Sequence, residues 1–498
     1  MKTELHALLN ELRTLRAQVC AEGDHTFDRW RPAIKRRSFL ISGQNLAHYL
    51  ALRQRDLRPL QAALTPFGLS SLGRSEARVI TNLDAVIASL SAICGDAPSS
   101  IRWPRSGAFY RGQRLLAGNA AAVLGGVPGS RRVRIMVTMP TEAADDYGLV
   151  FELLRSGMNC ARINCAHDTQ AVWELMIRHI RRAEAETGLR CKVIMDLGGP
   201  KARTGNVLTP PDDERLRADD YFLLTPGTPI PTDEVRFQAE CQIPEALTQV
   251  KLGEAVWFDD GKVGAQVVSI EPRGVMLRVT HVREKGVKLR PAKGLNFPDT
   301  DLNITPLTAK DRQDVAFAAT HADGIGYSFV QTAADIALLQ DALASLVNDP
   351  RRMPAIIAKI ETRKAIVNLP EIIVQAASQQ HFGVMIARGD LAVEIGYQRL
   401  AEMQEELLWI CEAAHVPVIW ATQVLENLVK EGTPSRAEMT DAAMAERAEC
   451  VMLNKGPFII KAVRILDEVL TRMGDHQIKK TPQLRALRTW KTGPLVER

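Results

Sequence analysis

Two short strings carry the most informative chemistry in this chain. Ala358-Lys359-Ile360-Glu361 and Ala387-Arg388-Gly389-Asp390 each close a short apolar run, at 355–357 and 382–386. A lysine and two carboxylates delivered at the ends of successive buried strands suit a metal held beside developing negative charge. At the C-terminal ends of parallel strands such residues are usually catalytic. Burying them idle would cost too much desolvation. Other apolar runs end in the same way. One gives Arg162, Asn164 and then His167. Another gives Asp196, then Gly198-Gly199-Pro200-Lys201-Ala202-Arg203. Ser328 and Thr422-Gln423 close two more. Any one of these could be a cap or an ion pair; together they mark one polar face.

The residue types suit phosphoryl transfer. Arg162 can grip phosphate oxygens with a planar fork. Glu361 and Asp390 are hard oxygen ligands for Mg²⁺ or Mn²⁺, a class of ion that binds through one or two carboxylates plus substrate oxygens. Lys359 is a movable point charge for a phosphoryl group in flight. Gly389 lets a backbone N–H approach an anion where a helix begins. No Gly-x-x-x-x-Gly-Lys-Ser/Thr loop is present, so a nucleotide must bind by another device.

The elements that position these residues begin at about 131. Strand candidates fall at 133–138, 159–165, 191–197, 324–330, 355–361, 382–387, 417–422 and 450–454, with helical patterns such as 169–187 and 332–346 between them. Eight strands alternating with helices predict a (β/α)₈ TIM barrel. More than 100 residues separate the third and fourth strands, and most carry β patterns. An inserted β-rich domain acting as a lid explains that gap better than a structureless loop. Residues 1–95 carry helical stripes, such as Leu5, Leu8, Leu9, Leu12 and Leu15, and predict a separate helical extension. Residues 96–130, rich in Gly, Ser and Arg, read as a linker. The expected division is 131–205 for the first part of the barrel, 206–299 for the lid, 300–475 for the rest of the barrel and 476–498 for a tail. A chain beginning near Arg131 is expected to stay soluble and active.

Bulk properties narrow the class. The 498 residues are too many for one core; 46% are hydrophobic and 24% charged, as in globular proteins. The net charge of +5 permits an anionic substrate but does not point to nucleic acid. The basic patch at Arg29, Arg31, Lys35, Arg36 and Arg37 reads as a solvated face. Eight cysteines without a Cys-x-x-Cys pair, several inside apolar runs, indicate reduced thiols and a cytoplasmic setting. No apolar run approaches the ~20 residues of a membrane helix, and no targeting peptide is evident.

Several stretches resemble the pyruvate kinase family. They are Arg131-Arg132-Val133-Arg134-Ile135, Met158-Asn159-Cys160-Ala161-Arg162-Ile163-Asn164, and Met195-Asp196-Leu197-Gly198-Gly199-Pro200-Lys201-Ala202-Arg203-Thr204-Gly205. Further ones are Lys293-Gly294-Leu295-Asn296-Phe297-Pro298, Ser328-Phe329-Val330, Ala358 to Glu361, Ala387 to Leu391, and Trp420-Ala421-Thr422-Gln423. They keep the family's order from about 131 to 470. The resemblance implies that the inserted lid is a small β-barrel. It also implies transfer of phosphate from phosphoenolpyruvate to ADP, giving pyruvate and ATP. On it, Arg162 and Lys359 hold the transferring phosphoryl, with Asn164 and Ser328 at the same site. Glu361 and Asp390 ligate Mg²⁺ or Mn²⁺, and Gly389 with Asp390 meets the substrate carboxylate. Thr422 stands near the carbon that is protonated. Arg203, Lys293 and His167 contact the nucleotide.

Three departures accompany the resemblance. The family's two K⁺ ligands, a Ser and a Thr, are Ala166 and Leu197 here, while the usual Glu after Gly-Pro is Lys201. The expectation is that the Lys201 ammonium replaces K⁺, which is then not required. The family's Ser-Gly-Glu-Thr after the eighth strand is Asn454-Lys455-Gly456-Pro457. The C-terminal effector domain is expected to be absent, an N-terminal extension being present instead. A homo-oligomer is left open. Two alternatives stand beside the kinase: an idle, regulatory or scaffold relative, and a metal-dependent lyase of the phosphoenolpyruvate/pyruvate barrel group.

Overall fold

In a computed structural model, residues 2–96, 101–127, 129, 131–211 and 213–483 are described. The central element is a closed barrel of eight parallel strands. They are β1 Arg134–Thr138, β2 Cys160–Asn164, β3 Lys192–Asp196, β4 Gly324–Tyr327, β5 Ala355–Ile360, β6 Phe382–Ala387, β7 Val418–Ala421 and β8 Cys450–Leu453. Each strand pairs with its neighbours in sequence, and β1 closes on β8 through Arg134↔Cys450 to Val137↔Leu453. The strands are short and almost wholly buried because helices cover the outside and side chains fill the inside. All eight runs expected from the sequence are therefore barrel strands, and every polar strand end lies at the same, C-terminal rim.

The insertion is a seven-stranded sheet with its own apolar core around Phe222, Phe258 and Leu277. One edge strand is Thr204–Leu208 and the other is Leu295–Asn296. An isolated antiparallel bridge, Arg203↔Gly294, joins the two ends, so the sheet is nearly closed. That bridge also fixes the lid's stem at the mouth of the barrel.

The N-terminal region is helical, as its stripes predict: Lys2–Trp30, Leu40–Arg53 and Val79–Cys94 bury Leu9, Leu12, Leu46 and Leu83 against one another. The run Glu76–Cys94 is long and apolar enough to cross a membrane, but 56% of it is buried inside the fold. This region is not a free appendage. Asn45 Nδ2 donates to the carbonyls of Glu76 and Ala413, and buried His415 shares a hydrogen bond of 2.9 Å with Ser42.

The structure corrects the expected linker. Within 96–130, the residues Arg111–Leu124 form a helix, and Val123 and Leu124 are fully buried in the barrel floor. They pack there with Met136, Cys160, Ile194, Ile357 and Met385. Glycines and arginines made the segment look like a connector, yet its Leu116, Ala120, Val123 and Leu124 form one apolar edge. The barrel's N-terminal end is thus stoppered by residues that precede its first strand. A chain beginning at Arg131 would lose that stopper, contrary to the expectation that it is dispensable. Residues 97–100, 128, 130 and 484–498 of the expected linker and tail lie outside the described residues. The described part of the tail forms a small hairpin, Gln477–Ile478 with Thr481–Pro482.

Candidate active site

At the end of β5, Lys359 Nζ lies 2.9 Å from Glu361 Oε1 and donates to Ser328 Oγ at 2.8 Å. Ser328 Oγ in turn donates to the carbonyl of Leu197 at 2.8 Å. Strands β3, β4 and β5 are thereby tied together at the rim. The other carboxylate oxygen of Glu361 accepts the backbone N–H of Phe329 at 2.6 Å. Phe329 adopts φ of 56°, a conformation disfavoured for a bulky residue. Held strain of this kind concentrates at functional sites. Burial pushes the Glu361 carboxyl up, Lys359 pulls it down, and Asp390 pushes it up again. The net direction is upward, with burial the leading cause and the negative charge of Asp390 a lesser one.

Asp390 sits in the first turn of the helix Arg388–Ile395, which starts directly from β6. Its Oδ1 accepts Lys201 Nζ at 2.7 Å and Asn296 Nδ2 at 3.3 Å, the latter from the lid's edge strand. Asn296 Oδ1 is buried and has no hydrogen-bond partner. Burial works against the Lys201 ammonium, but Asp390, Asp260 and Glu361 more than offset it and raise its pKa. Two carboxylates, two ammonium groups and an orphaned amide oxygen thus share one corner of the rim. No group of three or more His, Cys, Asp or Glu able to hold a metal occurs among the described residues. A pair of carboxylates fits Mg²⁺ or Mn²⁺ only if substrate and water oxygens complete the shell, the usual arrangement for phosphoryl transfer.

On the far side of the rim, Arg162 Nε donates to Asp196 Oδ2 at 2.6 Å and its Nη1 to Thr138 Oγ1 at 3.0 Å. Asp196 is buried, and its Oδ1 has no partner. Gly326 makes room for that oxygen, because a Cβ there would stand 1.9 Å from it. Asn164 uses its side-chain oxygen to accept the N–H of Ala166, which shapes the turn after β2. Gly199, at φ of 68°, passes so close to Ser328 that a Cβ would come within 2.9 Å of it.

Thr422 follows β7 in a left-handed conformation, φ 64°, and Gln423 does the same at 58°. The Thr422 hydroxyl accepts the N–H of Gly389 at 2.9 Å. Arg388 holds this turn from behind. It donates to the carbonyls of Ala421 and Thr422, pairs with Asp441 and stacks 4.8 Å from the Trp420 ring.

The expected nucleotide residues divide. Arg203 is tied to the lid stem through its Nη1 and the Ala292 carbonyl at 3.3 Å. Lys293 pairs with Asp259 at 3.0 Å and is 36% exposed. His167 is pushed below its ordinary pKa by burial, then by Lys455, Arg203 and Arg162. Three positive or potentially positive groups, His167, Lys455 of the altered Asn454 to Pro457 segment and Arg203, therefore gather near Arg162, opposed by the Asp168 carboxylate. Lys201 is spent on Asp390 and faces Asp260 at 3.9 Å. Its charge stands beside the Asp390 carboxylate. Near Ala166, a Cβ on Gly198 would find the Asp311 carboxylate at 3.7 Å.

Sequence reasoning missed four contributors. The Phe329 N–H leaves no trace in residue type. Arg388 is inside a quoted string but points to no role by itself. Asn296 belongs to a domain whose docking is not visible in sequence. Gly326 looks like any strand glycine.

The pyruvate kinase barrel-domain family model matches residues 130–459. A pyruvate kinase of Agrobacterium vitis is 32% identical over 357 residues, covering 70% of each chain. Pyruvate kinase 2 of Synechocystis is 30% identical over 73% of this chain, which spans 60% of that relative's length. Among solved structures, a pyruvate kinase from Cryptosporidium parvum superposes with a TM-score of 0.60 at 26% identity, over 71% of this chain and 72% of that one. The family model covers more than half of the chain, and the chain belongs to the pyruvate kinase family.

Proposed function

We propose that this protein transfers the phosphoryl group of phosphoenolpyruvate to ADP, yielding pyruvate and ATP. The observation that carries the proposal is the rim itself: Lys359 between Ser328 and Glu361, with Asp390, Arg162 and Thr422 on the same face. In the reaction the bond from phosphorus to the enol oxygen breaks. A bond from phosphorus to a β-phosphate oxygen of ADP forms, and the enolate takes a proton at its methylene carbon. Arg162, already oriented by Asp196 and Thr138, grips the phosphoryl oxygens. Lys359 follows the phosphoryl group as its bond to the enol oxygen breaks and negative charge builds on that oxygen. Glu361 and Asp390 would hold Mg²⁺ or Mn²⁺, which supplies further positive charge to substrate oxygens when bound. The first helical turn, with the Gly389 N–H shared between the Thr422 hydroxyl and the substrate, receives the substrate carboxylate. Thr422, aimed by its N–H contact and by Arg388, presents a hydroxyl where the proton is delivered. The cations around His167, together with Arg203 and Lys293, meet the nucleotide phosphates.

Independence from K⁺ is part of the proposal. Ala166 and Leu197 supply no side-chain oxygen, and Lys201 places a permanent positive charge within the carboxylate corner instead. The cytoplasm, where both substrates occur, is the setting this reading requires. The test is a coupled assay for pyruvate released by the full chain from phosphoenolpyruvate. Release that depends on ADP and on a divalent cation is expected. Release without ADP would be hydrolysis, with water taking the phosphoryl group, and would refute transfer to ADP; no release under any cation would leave the idle relative or a lyase acting on another substrate.

A further inference from the structure

A cavity of about 800 Å³ lies at the opposite end of the barrel from the rim. Its floor is set by the starts of β3 to β6, through Lys192, Asp323, Ala355 and His381, and Ala122 of the stopper helix forms one wall. Ala355 is four residues before Lys359 on the same strand, so the cavity stands roughly 13 Å or more from the chemistry at ~3.3 Å per residue.

Charged residues at this end of a barrel ordinarily serve stability. Here that need is met by two carboxylates, Asp323 within the cavity and Glu184 behind it, which pairs with Arg181 at 3.0 Å. Asp323 takes Lys192 at 3.0 Å, Arg181 at 3.1 Å and the Val193 N–H at 2.9 Å. Asp349 pairs with Arg351 at 3.2 Å. The remaining positive charge has no carboxylate of its own. Arg352 makes no side-chain hydrogen bond or ion pair among the described residues and feels Asp349 only from a distance. Arg36, from the N-terminal extension, spends its guanidinium on neutral groups: the Gln380 carbonyl, Asn119 Oδ1 and His381 Nδ1. His381 lines the cavity and is held below its ordinary pKa by burial and then by Arg36 and Lys192. Four cationic side chains against two carboxylates line a concave, polar space, and a fifth stands behind His381.

We propose that this cavity binds a small phosphate-bearing anion, held by Arg351 and Arg352 from one wall and by Lys192 and Arg181 from the other. Guanidinium forks match phosphate oxygens bidentately, and a ligand with two anionic groups can span the cavity. Because Arg36 and Ala122 belong to residues before the barrel, such a ligand would also clamp that region to the barrel floor. The site is independent of the reaction proposed at the rim.

The probe is inorganic pyrophosphate, titrated calorimetrically in metal-free buffer into the full chain and two variants. Arg162→Gln weakens phosphate binding at the rim; the double variant Arg351→Gln/Arg352→Gln alters only exposed cavity side chains. The expected result is that Arg162→Gln keeps one binding event that the double variant loses, with affinity at least about tenfold weaker. Hydrogen exchange on the unmodified chain supplies a readout that needs no variant: pyrophosphate should protect the backbone around 349–355 and 379–382. Binding abolished by Arg162→Gln and untouched in the double variant would overturn the proposal. So would the absence of any protection at the barrel floor.

Discussion

Leu124 offers the sharpest test of how the N-terminal residues serve the barrel. Its side chain is fully buried in the floor, and its carbonyl accepts the Cys160 thiol at 3.2 Å. Val123, 1% exposed, fills the space beside it; even a Cβ on Gly383 would stand only 3.4 Å from Val123 Cγ1. Leu124→Ala removes three carbons from a site whose walls are rigid barrel strands and cannot close in. The loss should therefore fall in the upper part of the range of about 2–5 kcal/mol for such truncations. At roughly 2–4 °C per kcal/mol for a large domain, the melting temperature should fall by about 7–20 °C. Differential scanning calorimetry measures this, with kcat recorded in parallel at low temperature. Because Leu124 is at the opposite end from Lys359, kcat should change less than about twofold while stability falls. A melting temperature within about 1 °C of the parent would refute the idea that this helix is part of the barrel core. The same reasoning predicts that a chain starting at Arg131 aggregates, since Met136, Ile194, Ile357 and Ile419 would lose their cover.

Three further outcomes follow, two from the site and one from Glu412, a carboxylate outside it in the helix Tyr397–Ala413. Lys359→Met should lower kcat by orders of magnitude while KM for phosphoenolpyruvate rises little, because its charge is needed most as the phosphoryl moves; a large KM change at constant kcat would mark it as a ground-state binding residue. Activity should be full in Na⁺ or tetramethylammonium buffer with no gain on adding K⁺, and Lys201→Glu, which sets a third carboxylate beside Asp390 and Glu361, should lose most of it without rescue by K⁺; strong K⁺ activation of the parent would defeat this. Glu412 is pushed up to about 7 by burial, against the pull of Lys479, so the folded state holds its proton more tightly than the unfolded chain. That stabilisation is complete below the unfolded pKa near 4.5 and is lost as pH rises through about 7. Glu412→Gln should flatten the decline in melting temperature between about pH 5 and 8, and an unchanged slope would sink the assignment.

The barrel was legible because each strand is an apolar run that ends in a polar residue, and that pattern follows from burial on both faces. The rim residues were legible for the same reason: Lys359, Glu361 and Asp390 have no place in a core unless they meet something charged. What stayed hidden depends on contacts between distant segments. The stopper helix has too few apolar residues to stand out from its Gly- and Arg-rich surroundings, and only the barrel floor, built later in the chain, explains Val123 and Leu124. Lys201 illustrates the same limit at the site. Its position after β3 allows its long stem to reach toward Ala166 or across to Asp390, and sequence spacing cannot choose between them. The choice is made by Asn296 and Asp260 of the lid, which crowd the same corner as Asp390. The ammonium expected from the sequence to replace K⁺ therefore bears directly on Asp390, one of the two carboxylates proposed to hold the divalent metal. Replacing a bound ion with a tethered one would then do more than keep a charge in place: it would link lid position to the charge balance of the metal corner, because Lys201 and Asn296 meet Asp390 together.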